Sequence, residues 1–266
     1  MDLLRRELAP ISPKGWDEID SMAKETLVAT LSGRKYIDID GPHGIGHACV
    51  TLGRLSLPKA QKGEKVGYGL HQVLPLVEAR VNFTLETWEL DNVERGAKDL
   101  QLDALVEACR ELAMFEEKAI YSGFKPGMII GLQDIVKGNE LSFVLEMDAL
   151  VDAISEGQTQ MLKDGVEGPA NLIVSADIWK FLARTSPGGT LRSIVERQIA
   201  GQVIYSELVK DALLVANRSG DLELTVGQDF AVGYHSHTAT EINFFATESF
   251  TFRVIAPEAL IGFKLK

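Results

Sequence analysis

The sequence predicts an α+β protein in which the two ends of the chain share one sheet-and-helix core and the middle forms a lobe inserted between them. Three observations carry that prediction. Val77 to Trp88 alternates apolar and polar residues almost strictly, the period of a strand with one buried side. Leu102 to Ile120 repeats apolar residues every three or four positions and is rich in Ala, Leu and Glu, as a long helix requires. After Asp211 the chain becomes a succession of short apolar runs separated by turn residues, which reads as strands.

Taken in order, Ser12-Pro13 opens a first helix, because serine can cap free N–H groups and proline tolerates the first helical position. Trp16, Ile19, Ala23 and Leu27 then recur at helical spacing, and Gly33 is expected to supply a left-handed stop. Gly41-Pro42 to Gly46 is a loop. Cys49 to Leu57 and Val66 to Val73 flank the basic stretch Lys59-Ala60-Gln61-Lys62-Gly63-Glu64-Lys65, and together read as a long hairpin arm with a polar tip. In the strand at 77–88, Val77, Ala79, Val81, Phe83 and Leu85 share one face, while Glu78, Arg80, Asn82, Thr84, Glu86 and Trp88 share the other. The long helix buries Leu102, Leu105, Val106, Cys109, Leu112, Ala113 and Ile120. The middle mixes helices at 148–162 and 176–183 with an extended segment at 171–174. There, Thr185-Ser186-Pro187-Gly188-Gly189-Thr190 interrupts two helical stretches as an exposed loop. Strands are expected at 212–216, 221–226, 230–234, 241–246, 249–255 and 259–265.

Composition narrows the function classes. The 266 residues carry 27 Lys+Arg against 38 Asp+Glu, a net charge of −11, which disfavours nucleic-acid binding through phosphates. With 45% hydrophobic residues the chain can build a substantial core. Two distant cysteines, Cys49 and Cys109, make neither a disulfide framework nor a zinc site alone. No apolar run is long enough for a bilayer, and the start is too charged for a signal peptide, so a soluble cytoplasmic protein is expected.

Reactive constellations are missing. There is no Gly-x-Ser-x-Gly elbow and no Gly-x-x-x-x-Gly-Lys loop; the glycine-rich 41–46 contains proline and leads into no clear helix. His235 and His237 would share a strand face, and His43 and His47 are four apart without a helix to converge them. Neither pair has an evident carboxylate or cysteine nearby, so no metal site is expected. Cys109 lies on an apolar stripe and reads as core packing. Trp88, on the polar strand face with Arg80, could stack a planar ligand such as a flavin or pack against a neighbouring subunit, of which subunit packing is favoured. The absence of chemistry points to a protein whose work is geometric.

Several segments then carry a resemblance. Glu86-Thr87-Trp88-Glu89-Leu90-Asp91-Asn92-Val93-Glu94-Arg95-Gly96 resembles the stretch before the long helix of encapsulin shell proteins. So do Leu8-Ala9-Pro10-Ile11 with Trp16-Asp17-Glu18-Ile19-Asp20, and Gly33-Arg34-Lys35 with Gly41-Pro42. Asp164-Gly165-Val166-Glu167-Gly168-Pro169 is similar to the family's middle lobe. Gly220-Asp221-Leu222, Gly227-Gln228-Asp229, Gly233-Tyr234 and Thr247-Glu248-Ser249-Phe250-Thr251-Phe252 are similar to its end. These matches keep the family's order along the whole chain.

The resemblance implies the HK97-type fold of tailed-phage major capsid proteins. Residues 1–48 would form the N-terminal helix and arm of a peripheral domain, 49–75 the extension loop, and 76–124 the peripheral domain with its spine helix. Residues 125–226 would form the axial domain, and 227–266 strands returning to the peripheral domain. It also implies self-assembly into an icosahedral nanocompartment of at least about sixty copies. The compartment would be bacterial and cytoplasmic, with no nucleic-acid or membrane partner. Its cargo would be a dye-decolorizing peroxidase or a ferritin-like iron-oxidising protein, docked through a short terminal peptide. By position in the family, Arg34 and Asp38 would meet polar groups of that peptide, and Tyr36, Phe230 and Val232 would supply apolar pockets. Read locally, Arg34 and Asp38 are instead a surface pair of little energetic weight. Thr185, Ser186, Pro187, Gly188, Gly189 and Thr190 would line a fivefold pore, an uncharged and permissive gate. No cofactor is required for shell formation; flavin at Trp88 and Arg80, seen in some relatives, is the alternative. The basic tip of the arm, with Lys59, Lys62 and Lys65, suits docking on an acidic neighbour, the alternative being an arm folded back on its own domain. The rival readings are a phage or prophage major capsid protein and a soluble flavin- or metal-dependent enzyme. Phage capsid proteins commonly carry a long N-terminal scaffolding segment, whereas here the capsid-like pattern begins within the first dozen residues.

Overall fold

The structure is a computed structural model and describes residues 2–57, 66–186 and 189–266. Ser12 caps the first helix as its sequence predicts, accepting the Gly15 N–H at 3.1 Å, and α1 runs Pro13–Thr30 with Ile19 and Ala23 buried. The stop differs from expectation. Leu31 leaves the helix in extended conformation, while Gly33 sits in a short 3-10 turn without a positive φ. Glycine is needed there for close approach: a Cβ would stand 2.9 Å from Ile120 Cδ1.

From there the chain forms β1 (Asp38–Asp40), the arm strands β2 (Cys49–Ser56) and β3 (Leu70–Pro75), and β4 (Val77–Glu86). Strand β4 has the predicted alternation, its outward residues exposed and Phe83 and Leu85 buried. It stops two residues early. Thr87 starts an unpredicted helix, α2 (Thr87–Arg95), which buries Leu90 and ends at Gly96 in the left-handed conformation at φ 87°. The long helix follows as α3 (Asp103–Ser122), then α4 (Leu132–Val136), β5 (Leu141–Phe143), α5 (Met147–Lys163), β6 (Ala170–Val174) and α6 (Ala176–Leu182). A two-residue ladder, β7 (Thr185–Ser186) with β8 (Gly189–Thr190), leads into α7 (Leu191–Ile199). The remainder is β9 (Val203–Tyr205), β10 (Ala212–Ala216), β11 (Leu222–Val226), β12 (Ala231–His237), β13 (Glu241–Val254) and β14 (Leu260–Leu265). The two strands expected at 241–246 and 249–255 are one continuous strand, because Thr247 and Glu248 remain paired to β4.

Two five-stranded sheets organise these elements. In the first, β13 pairs with β4, β12 and β11, and β1 adds in parallel to β11. The second has the order β5-β14-β10-β6-β9. Two expected boundaries are corrected here. Strand β11, placed with the axial segment 125–226, belongs to the first sheet; β14, expected to return to the peripheral domain, lies between β5 and β10 in the second. Leu260 to Phe263 are all buried, so β14 is covered on both faces and its sequence does not reveal which sheet it joins.

Helix α3 ties the lobes together. Its first half, through Leu105, Cys109 and Leu112, shares a core with α1, β4 and β12. Its second half, through Ile120 and Tyr121, packs in a core that also holds Ile173 and Leu213 of the second sheet. In the first core Phe244 stacks on Phe83 at 5.3 Å and meets Trp16 edge-on at 5.7 Å, which fixes α1 to the sheet. The arm stands apart as a two-stranded sheet. Its outer residues Leu55, Leu57, Val66, Tyr68 and Leu70 are each more than half exposed, so this part is not folded back on its own domain. The basic tip, with Lys59, Lys62 and Lys65, lies outside the described residues.

Candidate functional site

The seam where α1 crosses α3 and β12 opens into a groove of about 600 Å³. Its floor is apolar, built from Ala23 and Leu27 of α1, Cys109 and Leu112 of α3, and Val232 of β12. Its rim is charged. Arg6 pairs with Asp20 at 2.8 Å, Arg34 pairs with Asp229 at 2.8 Å, and Lys24 and Lys35 have no ion pair among the described residues. The Arg34 guanidinium also lies 4.7 Å from the centre of the Phe230 ring.

Three of the five residues expected to form a docking wall therefore meet: Arg34, Phe230 and Val232. Tyr36 and Asp38 do not line the groove. The turn at Gly33–Lys35 directs Tyr36 inward, where its hydroxyl donates to Tyr121 Oη at 3.1 Å. Asp38 accepts from the Gly220 N–H at 2.6 Å and the Ser219 hydroxyl at 3.2 Å, closing the turn before β11. Arg34 and Asp38 are accordingly not a surface pair.

Behind Arg34 lies a buried polar cluster that sequence reasoning missed. Arg34 grips Glu116 with two donors, Nε at 2.9 Å and Nη2 at 2.6 Å, and Glu248 stands 3.6 Å from Nη2. Burial would weaken the Arg34 charge, but the hydrogen bonds and charges of Glu116 and Asp229 overcome it and hold the guanidinium firmly protonated. The adjoining Glu117 accepts from the Ser32 hydroxyl and from the Ser32 and Gly33 N–H groups at 3.0 and 2.8 Å. Burial raises its carboxyl above the usual range against those bonds. The available signal was compositional: two glutamates on a helix face between Ala113 and Ile120, and a glutamate inside an apolar strand.

The other candidates separate. Trp88 is on the first turn of α2, exposed, with Arg95 5.6 Å from its ring. Arg80 lies over Phe245 at 4.1 Å. The six strand steps from Arg80 to Glu86 span about 20 Å, and within the subunit the two side chains rest on different neighbours. Of the pore candidates, Thr185, Ser186, Gly189 and Thr190 form the small ladder, and Pro187 and Gly188 lie outside the described residues. Thr190 caps α7 by accepting the Ser193 N–H at 3.2 Å. Arg184 borders this ladder, exposed, so its surroundings are not free of charge. His43 and His47 do converge, their rings 4.7 Å apart, because the loop rather than a helix brings them together; Asp40 lies 3.0 Å from His43. His237 bonds the Tyr234 hydroxyl at 2.5 Å. Among the described residues no three His, Cys, Asp or Glu side chains are arranged to hold a metal ion, and no helix is long and apolar enough to cross a membrane. Cys109 is buried, which pushes its thiol up to about 11.

Residues 1–251 match the family described as encapsulating protein for peroxidase. The chain is 37% identical to the type 1 encapsulin shell protein of Rhodospirillum rubrum, over 98% of this chain and 96% of that one. It is 32% identical to the type 1 encapsulin shell protein of Mycobacterium tuberculosis, over 98% and 99% of the two chains. Among solved structures it resembles the virus-like particle from Pyrococcus furiosus, with a TM-score of 0.67 at 14% identity, covering 93% of this chain and 98% of that one. It also resembles the capsid of Myoviridae phage XM1, with a TM-score of 0.57 at 13% identity and coverage of 87% and 90%. At these identities the structural likeness speaks for the fold, the HK97 type.

Proposed function

The chain belongs to the encapsulin shell-protein family, and from that membership we propose that its copies close into an icosahedral compartment around a cargo enzyme held by a short terminal peptide. Shell formation itself follows from the family and the capsid fold. The observation that carries assembly is the arm. A two-stranded ribbon is marginal in water, and this one presents Leu55, Leu57, Val66 and Leu70 to solvent. Lying on a neighbouring subunit would cover those side chains and supply the missing support. Repeated about symmetry axes, such contacts make closure cooperative.

The groove between α1 and β12 supports cargo docking. Its apolar floor suits the side chains of an extended tail, and its rim offers Arg34, Lys24 and Lys35 to polar or acidic groups. The cargo is read as a dye-decolorizing peroxidase or a ferritin-like iron-oxidising protein, enclosed in a cytoplasmic bacterial nanocompartment. The segment from Thr185 to Thr190 is read as the fivefold pore. Flavin at Trp88 and Arg80 stays the alternative reading, and it would need both side chains to turn from their present neighbours.

Purified protein should elute as megadalton particles and show uniform hollow spheres by negative-stain microscopy; a stable monomer or dimer sinks the assembly reading. Mass spectrometry of particles from the native host should find one enzyme. Particles filled with a genome instead would decide for a phage capsid protein.

A further inference from the structure

One guanidinium behind the groove wall serves three carboxyl groups. Arg34 binds Glu116 with Nε and Nη2, reaches Asp229 with Nη1 at 2.8 Å, and stands 3.6 Å from Glu248. Glu117 nearby is already held by Ser32 and Gly33. Glu116 and Glu248 are both fully buried; among the described residues no N–H or hydroxyl donates to Glu248, and its hydrogen-bonding neighbour is the Glu116 carboxyl. Across from Glu248, Ala79 on β4 and, beside it, Ala231 on β12, which pairs with Thr247, bring no charge. An ionised Glu248 would be a second buried anion beside Glu116, with a shared and distant cation, an arrangement that low dielectric strongly disfavours. Burial and the neighbouring Glu116 accordingly push its carboxyl well above the usual range, with Arg34 pulling in the opposite direction.

We propose that Glu248 carries a proton in the folded subunit and, by holding or releasing it, positions Arg34 against Asp229 and Phe230, so that pH sets the shape and charge of the groove wall. With Glu248 neutral, the guanidinium is shared between Glu116 and Asp229 and covers the Phe230 ring. When pH rises and the proton passes to solvent, the new charge draws Nη2 inward along its 3.6 Å gap. Nη1 then leaves Asp229, whose half-exposed carboxylate becomes a free anion on the rim, and Phe230 loses its cation. Glu248 is thus a positioning residue. Its consequence for cargo rests on the groove being the docking site, whereas the coupling of proton to Arg34 does not.

The test uses assembled, cargo-free particles. Infrared spectra across a pH titration should contain the C=O stretch of a protonated carboxylic acid at neutral pH that vanishes on alkalinisation and is absent in Glu248→Gln. Phe230→Trp places a reporter under the guanidinium. Its emission, after subtraction of the parent particle, should shift in one step over the same pH range and stay flat in Phe230→Trp/Glu248→Gln. Glu116→Gln, which removes the neighbouring anion, should move both transitions to lower pH even if the Glu248 variant fails to assemble. A band that persists in Glu248→Gln, an emission step that survives there, or transitions unmoved by Glu116→Gln would overturn the proposal. A failed cargo search leaves these spectra unchanged, so the two readings fail separately.

Discussion

Replacing Arg34 with methionine removes the cation that compensates Glu116 while keeping an unbranched side chain of similar length. Glu116 is fully buried, and Arg34 holds it with Nη2 at 2.6 Å as part of a two-donor contact. At about 3 Å and an effective dielectric near 20, the attraction is roughly 5 kcal/mol. Desolvation of both groups offsets much of it in the intact pair, but in Arg34→Met the anion stays buried without its partner. The expected destabilisation is therefore about 3–5 kcal/mol. Adding Glu116→Gln removes the orphaned charge and should recover most of that loss, a coupling visible in a double-mutant cycle. The assay is guanidinium chloride unfolding at one fixed protein concentration, since assembly makes apparent stability concentration-dependent. A single variant within about 1 kcal/mol of the parent, or a double variant no better than the single, would refute the reasoning.

Charging the arm should separate folding from assembly. Leu57→Asp with Leu70→Asp alters residues 69% and 63% exposed in the subunit, so far-UV circular dichroism should be unchanged while megadalton particles disappear from size exclusion; full-size particles would count against the arm as an intersubunit contact. Phe244→Ala removes a fully buried ring stacked on Phe83 and edge-on to Trp16, and should cost about 3–5 kcal/mol in denaturant unfolding. The Cys109 thiol, pushed up to about 11 by burial, should resist a disulfide reagent at neutral pH and gain reactivity toward alkaline pH or on unfolding, whereas half-buried Cys49 reacts first. Equal native rates for the two thiols would contradict the packing of α3.

Local signals were readable where local physics decides. Ser12-Pro13 starts α1, the stripe from Leu105 to Ile120 becomes α3, and Val77 to Leu85 alternates as β4. Trp88 misled because two more residues happened to continue the alternation, although Leu90, Val93 and Gly96 already carried helical spacing and a left-handed stop. Strand β14 was misassigned because apolar residues covered on both faces do not encode which sheet receives them. The groove was half legible. Arg34 lay in a recognisable segment, but which way Tyr36 and Asp38 turn depends on the 3-10 geometry after α1. The carboxyl cluster depends on contacts between positions 34, 116, 229 and 248, separations over which spacing carries no information.

The placement of β14 also has a consequence for synthesis. It occupies an interior position of its sheet, between β5, more than a hundred residues earlier, and β10, and Lys266 still donates its N–H to Phe143. A nascent chain that has emerged only as far as residue 259 leaves both of those strands with an open edge. Closure of the second sheet thus waits on contacts of high sequence separation, which are slow to form. Translation that stalls upstream of β14 leaves a subunit whose second sheet exposes unpaired backbone at both of those strands.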